Sequence, residues 1–164
     1  MMSPLVLVTD TNIWIDLDNG GILDDVFRLP YDFFIPDIAT RELIRPPWKI
    51  LQALGLDLKE LAADQMIELA QLRLSHRYLS VIDLASFLLV RSLDAILLTG
   101  DSRLYEMATT NRLSVHGVLW LLDEIVRLRV LVPVQVAGAL KKMLEAGARL
   151  PQDECCKRLL DWSR

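Results

Sequence analysis

The chain has 164 residues, 52% of them hydrophobic, and a formal net charge of −4. That length suits one domain with a sizeable core, and no stretch approaches the ~20 apolar residues of a membrane span. The acidic balance argues against a broadly basic nucleic-acid binder, although not against one whose acidic site is neutralised by divalent metal.

The N-terminus MMSPLVLVTD has no basic region and meets an acid early, so it does not read as a signal peptide, and a cytoplasmic protein is expected. Residues 5–9 (LVLVT) read as a short buried strand, with a helix from about Asn12. A second helical segment is expected over 21–29, closed by Pro30, then a strand FFIP at 33–36. DIATRELI reads as a helix from Asp37 with that Asp as its cap, ended by Pro46-Pro47. A helical turn or two fits 48–54, a short strand 56–61, and helices 63–75 and 81–93, the latter capped by Ser80. AILLT at 95–99 is a strand, followed by a helix from Ser102 to about Thr110, a strand at 113–115 and the amphipathic helix VLWLLDEIVRL. After Pro133 only helices remain, at 134–146 and 152–162.

Short strands alternating with helices predict a parallel α/β sheet. The chain divides into a main domain, 1–130, and a C-terminal helical extension, 131–164, packed on or next to it. The apolar run VLWLLDEIVRLRVLVPVQVAGAL carries more hydrophobic face than one small sheet covers, so self-association is expected. Cys155 and Cys156 are adjacent and read as ordinary thiols on different sides of the last helix.

Ligands of parallel sheets gather at the carboxyl ends of the strands, where helices begin. Asp10 ends the first strand, Asp101 follows AILLT after Gly100, Asp83 lies in the first turn of its helix, and Glu42 falls in the second turn of the helix after FFIP. Taken singly, the three aspartates are ordinary helix caps, and Ser80-Val81-Ile82-Asp83 matches a capping box. Glu42 has no capping duty. Four carboxylates converging on one low-dielectric edge repel unless a cation joins them. An all-oxygen set favours a hard ion, Mg²⁺ or Mn²⁺, and such an ion suits hydrolysis of a phosphodiester. His76 and His116 fall outside the set and read as structural.

VTDTNIWIDL, PDIATRELI, LSVIDLASFLLV and ILLTGDSRLYEMA resemble, in order, the four acidic motifs of PIN domains. The resemblance spans roughly residues 5–128 and implies a PIN-like three-layer α/β/α fold with a short, mainly parallel sheet. It also implies a Mg²⁺- or Mn²⁺-dependent ribonuclease, of the kind found as VapC-type toxins with a small antitoxin partner, commonly as homodimers. Position by position, Asp10, Glu42, Asp83 and Asp101 match the catalytic acids, with Asp10, Asp83 and Asp101 as metal ligands and Asn12 and Thr99 in support. Arg103 stands where many relatives carry a further acid. Arg41 and Arg45, four apart on the expected helix, and Lys49 are candidates for RNA phosphates, and Trp48 for base stacking. Two rivals stand beside this reading: a metal-free binding module on the same fold, and a phosphoryl-transfer domain. The latter wants a lysine after a later strand, and none of the five lysines directly follows a strand at that edge.

Overall fold

The computed structural model describes residues 4–164. Residues 1–3, part of the N-terminal stretch read for leader character, lie outside the described residues. Five strands form one sheet: β1 (Leu5–Thr9), β2 (Tyr31–Pro36), β3 (Asp57–Lys59), β4 (Ile96–Leu98) and β5 (Val115–His116). Their order is β3-β2-β1-β4-β5, and every pairing is parallel. Parallel neighbours require crossovers, supplied by α1 (Thr11–Asn19), α2 (Leu23–Val26), α3 (Trp48–Leu54), α4 (Ala63–Ser75), α5 (Val81–Leu93) and α6 (Ser102–Thr110). The chain closes with α7 (Val118–Arg127), α8 (Pro133–Glu145) and α9 (Gln152–Trp162).

The strands are apolar runs because both sheet faces are covered. Successive side chains alternate between faces, and this splits the core in two. Leu7, Phe33, Ile35 and Leu98 meet α1, α7, α8 and α9, while Val8 and Leu97 meet α4, α5 and α6. The result is a three-layer α/β/α fold. Helix α5 buries every residue from Leu84 to Val90, as a helix that is apolar all round must. It packs on β1, β2 and β4, with α4 against it and α6 beside it over β5.

On the other face, Trp14 stacks on Phe27 at 5.1 Å between centroids and meets Phe33 edge-on at 5.6 Å. Its indole Nε1 donates to Thr9 Oγ1 at 2.6 Å, which ties α1 to the end of β1.

Helix α8 packs against α1, α7 and α9 and buries Val136, Ala137, Ala139, Leu140 and Met143. The apolar surplus expected to drive self-association is therefore largely spent inside the chain. Val132 and Val134 of that run stay exposed, and α4 exposes Met66, Ile67 and Leu74 as well. Cys155 is buried and Cys156 exposed, on different sides of α9 as expected. Among the described residues, no helix is long and apolar enough to cross a membrane.

Three expected elements differ. The segment 21–29 yields only the single turn α2. DIATRELI forms a short 3₁₀ helix, Asp37–Arg41, preceded by Pro36 and followed at Glu42. Asp37 Oδ1 accepts from the next amide, Ile38 N, at 2.9 Å rather than capping an α-helix. Prolines on both sides leave too few residues to repay the cost of α-helix nucleation. Consequently Glu42 does not occupy a second helical turn, and Arg41 and Arg45 do not share a helix face. Finally, β5 begins at Val115 rather than at 113. Arg112 has φ of 59° and Leu113 N bonds to Ala108 O at 2.9 Å, so these residues close α6 and cannot join the sheet.

Candidate active site

Strand β1 is central: β2 and β3 lie to one side of it, β4 and β5 to the other. The chain runs from β1 through β2 to β3 on one side and then crosses over to β4 and β5 on the other, so the strand order switches at β1. Ligands of such sheets bind at the carboxyl end of that switch. Asp10 stands there. Its amide continues the ladder to Leu98 O at 2.8 Å, fixing its backbone to the neighbouring strand. Asp10 is 8% exposed; its carboxylate makes no regular capping hydrogen bond, although the Thr11 and Asn12 amides at the start of α1 help to hold its pKa down.

Thr99 organises the edge. Its hydroxyl donates to Asp10 Oδ2 at 3.0 Å and accepts from the Asp101 amide at 3.0 Å. Burial pushes the Asp10 carboxyl above its ordinary pKa; the Thr99 hydroxyl opposes that, and the nearby Asp83 charge adds to it. Glu42 is exposed at the rim. It is joined to Asp10 through Thr11, whose Oγ1 lies 3.4 Å from Glu42 Oε2 and 3.4 Å from Asp10 Oδ1.

Asp83 and Asp101 do cap their helices. Asp83 Oδ2 accepts from Ser80 N while Ser80 Oγ accepts from Asp83 N, both at 3.0 Å. Asp101 Oδ1 accepts from Arg103 N and Leu104 N, both at 2.9 Å. In each case the cap occupies one carboxylate oxygen, so the second oxygen stays available to a ligand. Capping and ligation are compatible here.

Asn12 is exposed at the start of α1. It lines two adjoining cavities of about 450 and 380 Å³, which share Asp16, Gly100 and Arg149 with it. Thr99 lines the larger and Asp101 the smaller. Arg41, Arg45 and Lys49 are exposed, and Trp48 is half-buried with the Lys49 ammonium 5.8 Å from its ring centre. The histidines stand apart: His76 ends α4, and His116 stacks on Trp120 at 4.5 Å, with burial lowering its pKa. Arg103 lies over the Tyr78 ring at 5.1 Å.

Three residues were not singled out from sequence. Thr11 is the bridge to Glu42. Asp16 lies one turn beyond Asn12, and burial followed by the Asp10 charge pushes its pKa up. The four-residue spacing of Asn12 and Asp16 was a readable signal for a shared face. Arg149 comes from the α8–α9 turn, which local pattern could not bring to this edge.

Among the described residues, no three His, Cys, Asp or Glu stand close enough together to hold an ion as the side chains lie. The donor set nevertheless fits a hard cation. It is all carboxylate, with a second oxygen free on both Asp83 and Asp101, and Asp10 is a buried acid opposed by another acid.

A doubly crossed parallel sheet with acids at its carboxyl edge makes this an α/β protein with its candidate site at the strand ends. The chain belongs to the PIN-domain family: the family model DUF3368, described as a PIN domain, matches residues 6–163. PIN domains are generally nucleases. No curated protein matched the chain.

Proposed function

We propose that the protein is a Mg²⁺- or Mn²⁺-dependent ribonuclease that hydrolyses phosphodiester bonds in RNA. In this reading Asp10, Glu42, Asp83 and Asp101 are the catalytic acids, and Asp10, Asp83 and Asp101 hold the metal. Residues 1–130 carry these acids, with 131–164 as the helical extension. The observation that carries the reading is Asp10, a buried carboxylate raised in pKa by burial and by Asp83, and in no ion pair among the described residues. Asp10, Asp83 and Asp101 would hold a divalent ion, which when bound would offset that charge, polarise a phosphate oxygen and lower the pKa of water.

The chain's own residues do the rest. Thr99 holds Asp10 in orientation and fixes the Asp101 amide beside it. The Ser80 and α6 caps hold Asp83 and Asp101 at their helix starts with one oxygen of each free. Glu42, unburdened by capping, takes the proton of the attacking water. Arg41, Arg45 and Lys49 hold RNA phosphates along the rim.

The test compares the wild type with Asp83→Asn on a mixed RNA pool in Mn²⁺, with circular dichroism to verify folding. Asn keeps an oxygen for the Ser80 amide and loses the charge a hard cation needs. Cleavage falling by about a hundredfold or more is expected. Equal cleavage by both proteins would remove Asp83 from the site. A wild type that gives no metal-dependent cleavage and no metal-dependent thermal shift favours the metal-free binding module instead.

A further inference from the structure

The turn between α8 and α9 brings a cation to the acidic edge. Gly147, at φ of 96°, ends α8 in a conformation that favours glycine. The amides of Ala146, Gly147 and Ala148 fold back onto the carbonyls of Lys142, Leu144 and Met143, each at 3.0 Å. Ala148 and Leu150 then pack against the main core, so Arg149 stands between two anchored neighbours with its own side chain exposed. Its backbone is fixed by its surroundings, and its guanidinium is free to meet a ligand.

Arg149 lines both cavities at the carboxyl end of the sheet, across from Asn12, Asp16 and Gly100. Arg158 also lines the larger cavity, but it is committed to Asp123 and Glu154, each at 2.8 Å. Arg149 joins no ion pair among the described residues, even though Asp16 and Asp101 share its cavities. Gly100 keeps the floor between them open, since a Cβ built there would meet nothing within 4 Å. Of the four proposed catalytic acids only Asp101 lines these cavities, together with Asp16, an exposed Arg149 guanidinium on a fixed backbone, and open space at Gly100.

A ligand that suits both the carboxylates and the guanidinium carries metal-compatible oxygens and an anionic group of guanidinium geometry. A phosphodiester has both, and guanidinium grips its two non-bridging oxygens in a fork. Resting on the ribonuclease reading above, we propose that Arg149 binds a backbone phosphate of the RNA strand at the acidic edge. The C-terminal helical pair is then part of the active site as well as its support.

Steady-state cleavage of a single-stranded oligoribonucleotide in Mn²⁺ tests this with wild type, Arg149→Gln and Arg149→Lys over a salt series. Arg149→Gln should raise KM by roughly ten- to a hundredfold, as expected for a lost charged hydrogen bond, with kcat changed far less. Its plot of log KM against log salt should be shallower by about 0.7, one single-strand phosphate contact. Arg149→Lys should recover part of the KM and the full salt slope, because the charge is kept and the fork lost. The thermal shift caused by Mn²⁺ should be the same in all three. An active wild type with unchanged KM and salt slope in Arg149→Gln overturns this inference alone. Loss of the Mn²⁺ shift in Arg149→Gln would also overturn it, by making the residue a support of the metal edge. A wild type that neither cleaves nor binds the oligonucleotide overturns the ribonuclease reading, and this inference falls with it.

Discussion

Asp10 and Glu124 expose the same fraction of their surface, 8%, yet their surroundings treat their charges in opposite ways. Glu124, on α7, receives two hydrogen bonds from Arg127, at 2.8 and 2.7 Å, and one from the Tyr31 hydroxyl. Arg127 first, and Tyr31 after it, hold its carboxyl below the ordinary pKa. Asp10 has the Thr99 hydroxyl at 3.0 Å, the Thr11 hydroxyl at 3.4 Å and the Thr11 and Asn12 amides, but no cation. Burial outweighs these donors, an acid nearby adds to it, and its pKa rises. Equal area also hides unequal depth, because desolvation dominates at Asp10 and is outweighed at Glu124. The contrast separates a carboxylate whose charge its own chain neutralises with an arginine from one that it holds with uncharged donors alone.

Activity gives the widest expected separation. Asp10→Asn should lower metal-dependent RNA cleavage by at least about a hundredfold, while Glu124→Gln, away from the edge, should retain it. Initial rates on one oligoribonucleotide, at matched circular dichroism, measure both. Comparable losses in the two variants would break the distinction.

Stability should separate them with opposite signs. Glu124→Ala leaves Arg127 and Tyr31 without their acceptor. Because the Arg127 side chain is 62% exposed, the cost is discounted to about 1–2 kcal/mol, roughly 2–8 °C in Tm. Asp10→Asn removes a buried, opposed charge and should hold or raise the Tm in chelator. It should also abolish the upward shift that Mn²⁺ gives the wild type. A destabilised Asp10→Asn in chelator would mean that its charge is already compensated.

The smallest effect is in the pH dependence of those differences. With a raised pKa, folded Asp10 keeps its proton where the unfolded chain has lost it. Metal-free stability therefore falls as pH rises from the ordinary carboxylate range through the raised value. Glu124 runs the other way, since its contribution is complete above the ordinary range and is lost as pH falls through its depressed pKa. Urea denaturation in chelator between about pH 3 and pH 7 should show the advantage of Asp10→Asn widening toward neutrality. The deficit of Glu124→Gln should shrink toward acid. Parallel curves would remove the electrostatic basis of the comparison.

Much of this architecture was legible because it rests on local chemistry. The bounds of α4, α5 and α6 follow from apolar period, the Ser80 box and the Asp101 cap. The acidic edge was legible because a parallel sheet sends strand ends and helix starts to one side. Glu42 shows where local reading fails: its segment has helical composition, yet the flanking prolines hold it to one 3₁₀ turn. Its link to Asp10 runs through Thr11, which carries no motif signal of its own. Arg149 was illegible for a different reason. Its position depends on how α8 packs against α1 and α9 against α8, a tertiary fact that no window of residues contains.

The hydroxyl that steadies Asp10 belongs to a residue 89 positions later. At about 5–20 residues per second of synthesis, Asp10 leaves the ribosome several seconds before Thr99, Asp101 and the β4 ladder exist to meet it. Arg149 follows Thr99 by a further 50 residues. An acidic edge wired in this way is unfinished while it is being made: Asp10 waits on a hydroxyl, and on a helical pair bearing Arg149, that are translated after it.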